Sequence, residues 1–419
     1  MRVWFLLLMS IPALAQLPTC SAPLWSPCDL VFPLQAGEDA ARAELRAEFR
    51  SPHRDTKTIR AFREGDTFVL RFTPDEVGEW DYRVTSSIKR FDAQTGKAAG
   101  TASNAVGFVF PANKHHFQTA DLQPHLWMAS AIDGFAAMPR AEFEAAVAAR
   151  AAEKFTHIRV VIEPKDDLRE AAERIRVIHG RGLTTDLVLG AIPDDRRERE
   201  RYMTEIVARF GAFNLTWAGV PGYEKVRNSQ TVLRDAGTLI AQQDAYKHPR
   251  TTMAEFSSLP LAGDRNGGWM DLLSYGTPDP NIGAVEHQLV EWPSVNTGIR
   301  SRADLWNATM NGQYPAAGSG RDFTAWFDFM SRTRYWEMEP YFDVTGGRAI
   351  AVRDVEVRSE EVIDAAEYVV YLEKPGPGDT DGAGQEIRCR VDQSCDGRKS
   401  EGEGFQGQDV CGGSSRYDA

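Results

Sequence analysis

Four carboxylates in this chain stand at or just past the ends of short apolar runs, where a strand would hand its last side chain to a loop. Asp133 follows the run 125–132, Glu163 ends the run 157–163, Glu224 follows 213–217 and Glu255 follows 251–254. Two carboxyl groups held on either side of a bond can hydrolyse it, one as general acid and the other as base or nucleophile. For a glycosidic bond their separation is roughly 5 Å for retention and larger for inversion. One of the pair must hold a proton at neutral pH, which burial or a neighbouring charge can arrange. Each candidate also has a structural reading. Asp133-Gly134 is a common turn dipeptide, Glu163 ends a run before Pro164, and Glu224 and Glu255 can be surface side chains of crossover loops. Asp271 lies early in its own run and is the weaker candidate.

Sugar rings present C–H faces that stack on indoles. Trp127, Trp217, Trp269 and Trp292 fall at or near the ends of apolar runs, and the first three are candidate substrate contacts. Glu163 and Asn296 are further candidate contacts. The segment 293–298 that carries Asn296 has no carboxylate of its own, and Glu286 and Glu291 precede it, which places them at its wrong end. Trp326 and Trp336, spaced with Phe323, Phe327, Phe329 and Tyr335, read as core. His115, His116, His248 and His287 lack ligand-like spacing, so no metal is expected. No Gly-x-Ser-x-Gly elbow and no Gly-rich phosphate loop occurs, so neither an esterase nor a nucleotide cofactor is expected.

The elements that must position these side chains follow from periodicity. From about 30 to 111 apolar residues alternate with charged ones: Leu45, Ala47 and Phe49 against Arg46, Glu48 and Arg50, or Trp80, Tyr82 and Val84 against Asp81 and Arg83. That period predicts an antiparallel β-sandwich over 18–112. From 115 to 345 β-branched runs alternate with amphipathic stretches of helical period, such as Leu168, Ala171, Ala172, Ile175 and Ile178. This order predicts parallel βαβ units and a (β/α)8 barrel, with Glu224 beyond the fourth strand, at the end where such barrels carry chemistry. Residues 346–375 turn strand-like again and read as the start of a further β domain, truncated as a frameshift would leave it. The Gly-rich stretch 376–419 has too little apolar surface to offset its ordering entropy and is expected to be disordered.

The 419 residues carry a net charge of −12, which is unsuited to a nucleic-acid partner. Met1-Arg2, the apolar run 3–9 and Ala13-Leu14-Ala15 form a signal peptide over 1–15, and no later run is long enough to span a bilayer. The mature chain is therefore expected to be secreted or periplasmic. Cys20 and Cys28 are expected to pair there, while Cys389, Cys395 and Cys411 lie in the polar tail.

The run Arg71-Phe72-Thr73-Pro74 through Gly78-Glu79-Trp80-Asp81-Tyr82 resembles an N-terminal Ig-like module that precedes bacterial glycosidase-like barrels. The segments 126–128, 213–217, 244–249 and 269–271 resemble the apiosidase-like glycoside hydrolases. The resemblance implies a sandwich, a TIM barrel and a second sandwich acting on polysaccharide without a cofactor. It implies an acid/base role for Glu224, with Glu255 or Asp133 as partner. The chain departs from the pattern in having Pro221-Gly222 before Tyr223-Glu224, where acidic residues are common, and in lacking a carboxylate on the seventh strand. The second departure keeps open a non-catalytic carbohydrate-binding protein or a decayed homologue on the same scaffold. A purely structural surface protein is the third class.

Overall fold

The computed structural model of the chain describes residues 17–38, 43–262, 270–277, 281–340, 349–352, 367–372 and 385–390. The leader 1–15, Trp269 and residues past 390 lie outside that set. The chain divides into two compact units at Ser103/Asn104.

The first unit contains β1 (Cys20–Pro23), β2 (Cys28–Pro33), β3 (Leu45–Arg50), β4 (Thr56–Arg60), β5 (Phe62–Glu64), β6 (Thr67–Phe72), β7 (Gly78–Ser86) and β8 (Thr95–Thr101). They form a five-stranded sheet, β1-β8-β7-β3-β4, and a three-stranded sheet, β2-β6-β5. The two-residue period dictates the packing. Leu45, Ala47 and Phe49 of β3 are buried while their neighbours are exposed, so each sheet has one face that must meet another. Phe49 of one sheet stacks on Phe72 of the other at 4.3 Å, and Phe72 meets Trp80 edge-on at 5.1 Å. The expected antiparallel pairing needs one correction, because β1 pairs with β8 in parallel. The reason is local. A Pro-rich connection and the Cys20–Cys28 disulfide send β1 and β2 to different sheets, so β1 takes the open edge of β8.

The second unit opens on a hairpin, β9 (Val109–Ala112) and β10 (His116–Thr119). From sequence the first of these belongs to the sandwich, which would end at 112. In the structure Val109 and Phe117 pack into one cluster with Trp127, Trp306 and Trp326. Alternation identifies a strand but does not say which apolar face it covers.

Strands and helices then alternate: β11 (Ala129–Ala131), α1 (Arg140–Ala152), β12 (His157–Ile162), α2 (Leu168–His179), β13 (Thr184–Leu189), α3 (Arg196–Phe210), β14 (Leu215–Pro221), α4 (Ser229–Gln243), β15 (Arg250–Met253), α5 (Leu259–Ala262), β16 (Leu273–Tyr275), α6 (Ile282–Leu289), β17 (Ser294–Asn296), α7 (Arg302–Met310), β18 (Gln313–Pro315) and α8 (Arg321–Met330). Strands β11 to β15 form one parallel sheet in sequential order and β16 to β18 another. A parallel bridge from Ala254 to Tyr275 joins the end of the first sheet to the start of the second. At the other edges Ser130 Oγ donates to the Gly318 carbonyl at 2.7 Å and Arg159 Nη1 to that of Ala316 at 3.3 Å.

Both faces of the larger sheet are buried, as parallel sheets require. Ile158, Ile162, Leu187, Leu215 and Trp217 meet the helices, while Arg159, Asp186 and Thr216 are buried on the opposite face. Asp167 and Asp195 cap α2 and α3 by accepting from the second and third backbone N–H groups of each helix, the usual use of Asp at that position. The aromatic residues from Phe323 to Trp336 do not share one helix: α8 stops at Met330 and is followed by a 3-10 turn, Tyr335–Glu337, and by β19 (Met338–Pro340).

Strand β19 heads an antiparallel sheet with β20 (Ala349–Val352), β21 (Glu367–Leu372) and β22 (Gln385–Arg390). The last strand corrects the expectation of a structureless 376–419. Ile387 and Cys389 alternate with charged residues, a strand pattern too short to register against the Gly-rich sequence around it. Among the described residues no helix is long and apolar enough to cross a membrane.

Candidate functional site

Strand β14 ends at Pro221 and turns through Gly222, whose φ of +59° is a left-handed value that suits glycine. Its N–H donates to the Met253 carbonyl at 2.9 Å, and a Cβ there would stand 3.1 Å from Glu255 Oε1. The turn after β14 is therefore pinned to the end of β15. A 3-10 turn, Tyr223–Lys225, follows and presents Glu224. Glu224 Oε1 accepts from the backbone N–H of Glu255 at 2.9 Å and of Phe256 at 3.1 Å. Glu255 Oε1 in turn accepts from Lys225 Nζ at 2.6 Å. Two carboxylates expected from sequence are thus brought together on adjacent loops, and both are exposed. Beside them Phe256 is 62% exposed, an aromatic surface that sequence position alone did not mark.

The other two carboxylates stand apart. Asp133 is exposed in a turn where the Gly134 carbonyl accepts from the N–H groups of Ala137 and Met138, so the turn reading of Asp133-Gly134 holds. Among the described residues no hydrogen bond or ion pair joins it to Glu224 or Glu255. Glu163 directly follows β12, pairs with Lys165 at 2.7 Å, and lies beside Gly190 just past β13, where a Cβ would be 3.1 Å from its Cγ.

Three candidate contacts are corrected by burial, and Trp269 lies outside the described residues. Trp127 is 0% exposed and stacked on His157 at 3.6 Å. Trp217 is 1% exposed, and its Nε1 donates to Asp244 Oδ2 at 2.9 Å. Both rings lie in the core because a strand end fixes a residue's height in the sheet, while the pleat decides which face it takes. Trp217 shares its face with Leu215, toward the helices. Asn296 is buried, donates to Gln313 Oε1 at 3.1 Å and accepts from the Gly298 N–H at 2.8 Å. Gln313 donates on to the Tyr275 hydroxyl at 2.6 Å.

Glu286, which sequence order puts at the wrong end, is instead buried on α6 beneath the loop that follows β15. Its Oε1 accepts from Ser257 Oγ, and the Tyr275 hydroxyl also bonds to it. Helix α6 runs back alongside the strands and carries the side chain to that level. Burial raises its carboxyl above the ordinary value of 4.5, against the pull of Ser257 and Tyr275. Ionising Glu286 therefore opposes folding. The cost is absent below its unfolded value and builds as pH rises through the folded one. Glu286→Gln is expected to raise the Tm by a few degrees near pH 8 and to leave it unchanged near pH 4. Equal shifts at both pH values in calorimetry would sink this account.

A separate cluster, His115, His287 and Glu339, places its ligand atoms within 4.8 Å of one another. Sequence spacing gave no sign of it, because the three residues come from a hairpin turn, a helix and a strand distant in the chain.

Residues 22–87 match the family model described as "Domain of unknown function (DUF5060)". No curated protein matches the chain. Among solved structures the chain is similar to a candidate glycoside hydrolase of Bacteroides vulgatus ATCC 8482, at 16% identity and a TM-score of 0.68, covering 85% of this chain and 84% of that one. It is also similar to a glycoside hydrolase at 12% identity, TM-score 0.49, covering 64% and 84%. A third is a glycoside hydrolase family 5 protein of Bacteroides vulgatus ATCC 8482, at 14% identity, TM-score 0.48, covering 63% and 79%. The chain has a glycoside hydrolase-like fold, compatible with a TIM barrel, and a DUF5060 match lies within its first unit.

Proposed function

We propose that the chain is a secreted glycoside hydrolase of apiosidase-like type that cleaves O-glycosidic bonds in a polysaccharide. On this reading the two parallel sheets are the arcs of a (β/α)8 barrel, the first unit is an Ig-like accessory module, and residues 1–15 direct export. The observation that carries it is the meeting of Glu224 and Glu255 beyond consecutive strands, beside exposed Phe256. The ion pair with Lys225 supports Glu255 as the partner carboxylate. Glu224 is the candidate acid/base. Its Oε1 accepts two N–H donors, which leaves Oε2 to face the substrate. Phe256 offers a face for a sugar ring.

One observation favours a second reading, a carbohydrate-binding protein without catalysis. The seventh strand ends in Asn296, whose polar atoms serve Gln313 and Gly298, so that strand presents no second carboxylate.

Purified chain and its Glu224→Gln variant, incubated with plant and bacterial polysaccharides, separate these readings. The parent is expected to release sugar, and the variant at least about 10²-fold more slowly. Equal release from both would remove Glu224 from the chemistry. Retained glycan affinity without release, weakened by Phe256→Ala, would establish the binding protein.

A further inference from the structure

We propose that His115, His287 and Glu339 bind one divalent transition-metal ion of the zinc type, at the ends of the strands opposite Glu224 and Glu255. The hairpin turn between β9 and β10 holds Asn113 and Lys114 at positive φ, +44° and +63°, and so delivers His115 inward. His115 Nε2 lies 3.0 Å from the Val290 carbonyl oxygen. A carbonyl only accepts, so Nε2 carries the ring proton. Nδ1 of the neutral ring is then a lone pair, yet it faces Glu339 Oε1 at 3.1 Å. Either a second ring proton on Nδ1 or a metal ion there satisfies both acceptors.

His287 sharpens the point. Its Nε2 is 2.6 Å from the other oxygen of the same carboxylate, in a geometry that makes no hydrogen bond. The two imidazoles are stacked, with centroids 3.6 Å apart and planes 27° from parallel. Two imidazolium ions in that stack would repel each other. One divalent ion instead serves two ring lone pairs and a carboxylate at once.

The dimensions and chemistry fit. Metal–nitrogen bonds of about 2.0–2.1 Å in a tetrahedron put neighbouring ligand atoms about 3.3 Å apart; the His115–Glu339 separation is 3.1 Å and the His287–Glu339 separation 2.6 Å, so the ion would open the stacked rings slightly as it enters. Two imidazoles and a carboxylate suit zinc rather than calcium or magnesium. The Val290 carbonyl on the far nitrogen of His115 is the usual outer partner of a ligating histidine. His116 stands next to the set. It is buried, with Nδ1 bonded to the Tyr314 hydroxyl at 2.7 Å. Its Nε2 has no hydrogen-bond partner and lies 3.8 Å from Glu339 Oε1, which makes it the candidate fourth ligand.

The location assigns a structural role. Val290 leads into β17, and Gly312 directly precedes β18, where a Cβ would stand 2.7 Å from His287 Cδ2. The ion would clip the β9–β10 hairpin, the end of α6 and β19 to the N-terminal ends of the strands, where barrels place stabilising residues.

The test uses the full chain, freed of metal by chelator and titrated with zinc chloride. One equivalent is expected to bind, and excess zinc to raise the Tm by roughly 5 °C or more. Magnesium chloride is expected to do neither. Glu339→Gln and His287→Asn, folded by circular dichroism, should bind zinc at least about tenfold more weakly. No uptake by the folded parent, or equal uptake by these variants, overturns the proposal. Cobalt(II) gives a readout that needs no variant: a parent spectrum lacking a tetrahedral d–d band also overturns it.

Discussion

Asp244→Ala is expected to lower folding stability by about 3–5 kcal/mol. Asp244 is 1% exposed and accepts four hydrogen bonds: from Trp217 Nε1 at 2.9 Å, His248 Nδ1 at 2.9 Å, the Tyr246 N–H at 2.9 Å and the His248 N–H at 3.0 Å. Its removal strands all four donors, in the strand next to the candidate site and in the segment that leads into β15. Asp244→Asn keeps the volume but turns a donor toward donors, so it should recover only part of the loss. Burial pushes this carboxyl up, yet His248, Trp217 and the backbone donors outweigh it and hold it below the ordinary value of 3.8. The stability it supplies is therefore present above pH 3.8 and fades as pH falls through the folded value. Urea unfolding near pH 7 checks the magnitude, and a loss under about 1 kcal/mol would show that the cluster is not a tether.

Asp186→Ala is expected to cost a similar 3–5 kcal/mol, by another route. Arg159 and Asp186 are register partners on β12 and β13, with side chains 4% and 1% exposed. Arg159 Nε donates to Asp186 Oδ2 at 2.6 Å, and Nη1 reaches the Ala316 carbonyl across the edge of the sheets. Losing the carboxylate leaves a guanidinium buried without its counter-charge, which is dearer than losing the pair. The double variant Arg159→Met, Asp186→Leu should therefore be more stable than Asp186→Ala, since apolar replacement of a whole buried pair is often neutral. A double-mutant cycle measured by chemical denaturation decides it. A double variant no more stable than the single one would mean that desolvation of Arg159 is not the source of the loss.

The alternation of β3 and β7 was legible because one face of each sheet is buried and the other wet. The β-branched runs that became β12, β13 and β14 were legible for the opposite reason, being buried on both faces and bounded by capped helices. Strands β16, β17 and β18 have three residues each; the first two lie inside the runs 270–275 and 294–297 that read as strands, while α5 and β18 were not foreseen. The places of Glu224 and Glu255 beyond consecutive strands were legible because a strand end is a matter of chain order. Trp127, Trp217 and Asn296 were misjudged because the face a side chain takes depends on the pleat and on what packs behind it. Glu286 and the His115–His287–Glu339 cluster depend on three-dimensional return of the chain, which no local spacing encodes.

The unequal division of the parallel strands also has a mechanical side. Within the five-stranded sheet β12 and β13 share six residue pairs, whereas β14 and β15 share three, with a register shift between Ala218 and Pro221, as few as β17 and β18. Breathing motions that let solvent reach backbone amides should start at such short ladders, in the smaller sheet and at the end of the larger one. Glu224 and Glu255 both ride on the larger one. The spacing of these two carboxyl groups therefore rests less on the strand ladder than on the loops, where Gly222 N–H holds the Met253 carbonyl and Glu224 holds the N–H groups of Glu255 and Phe256.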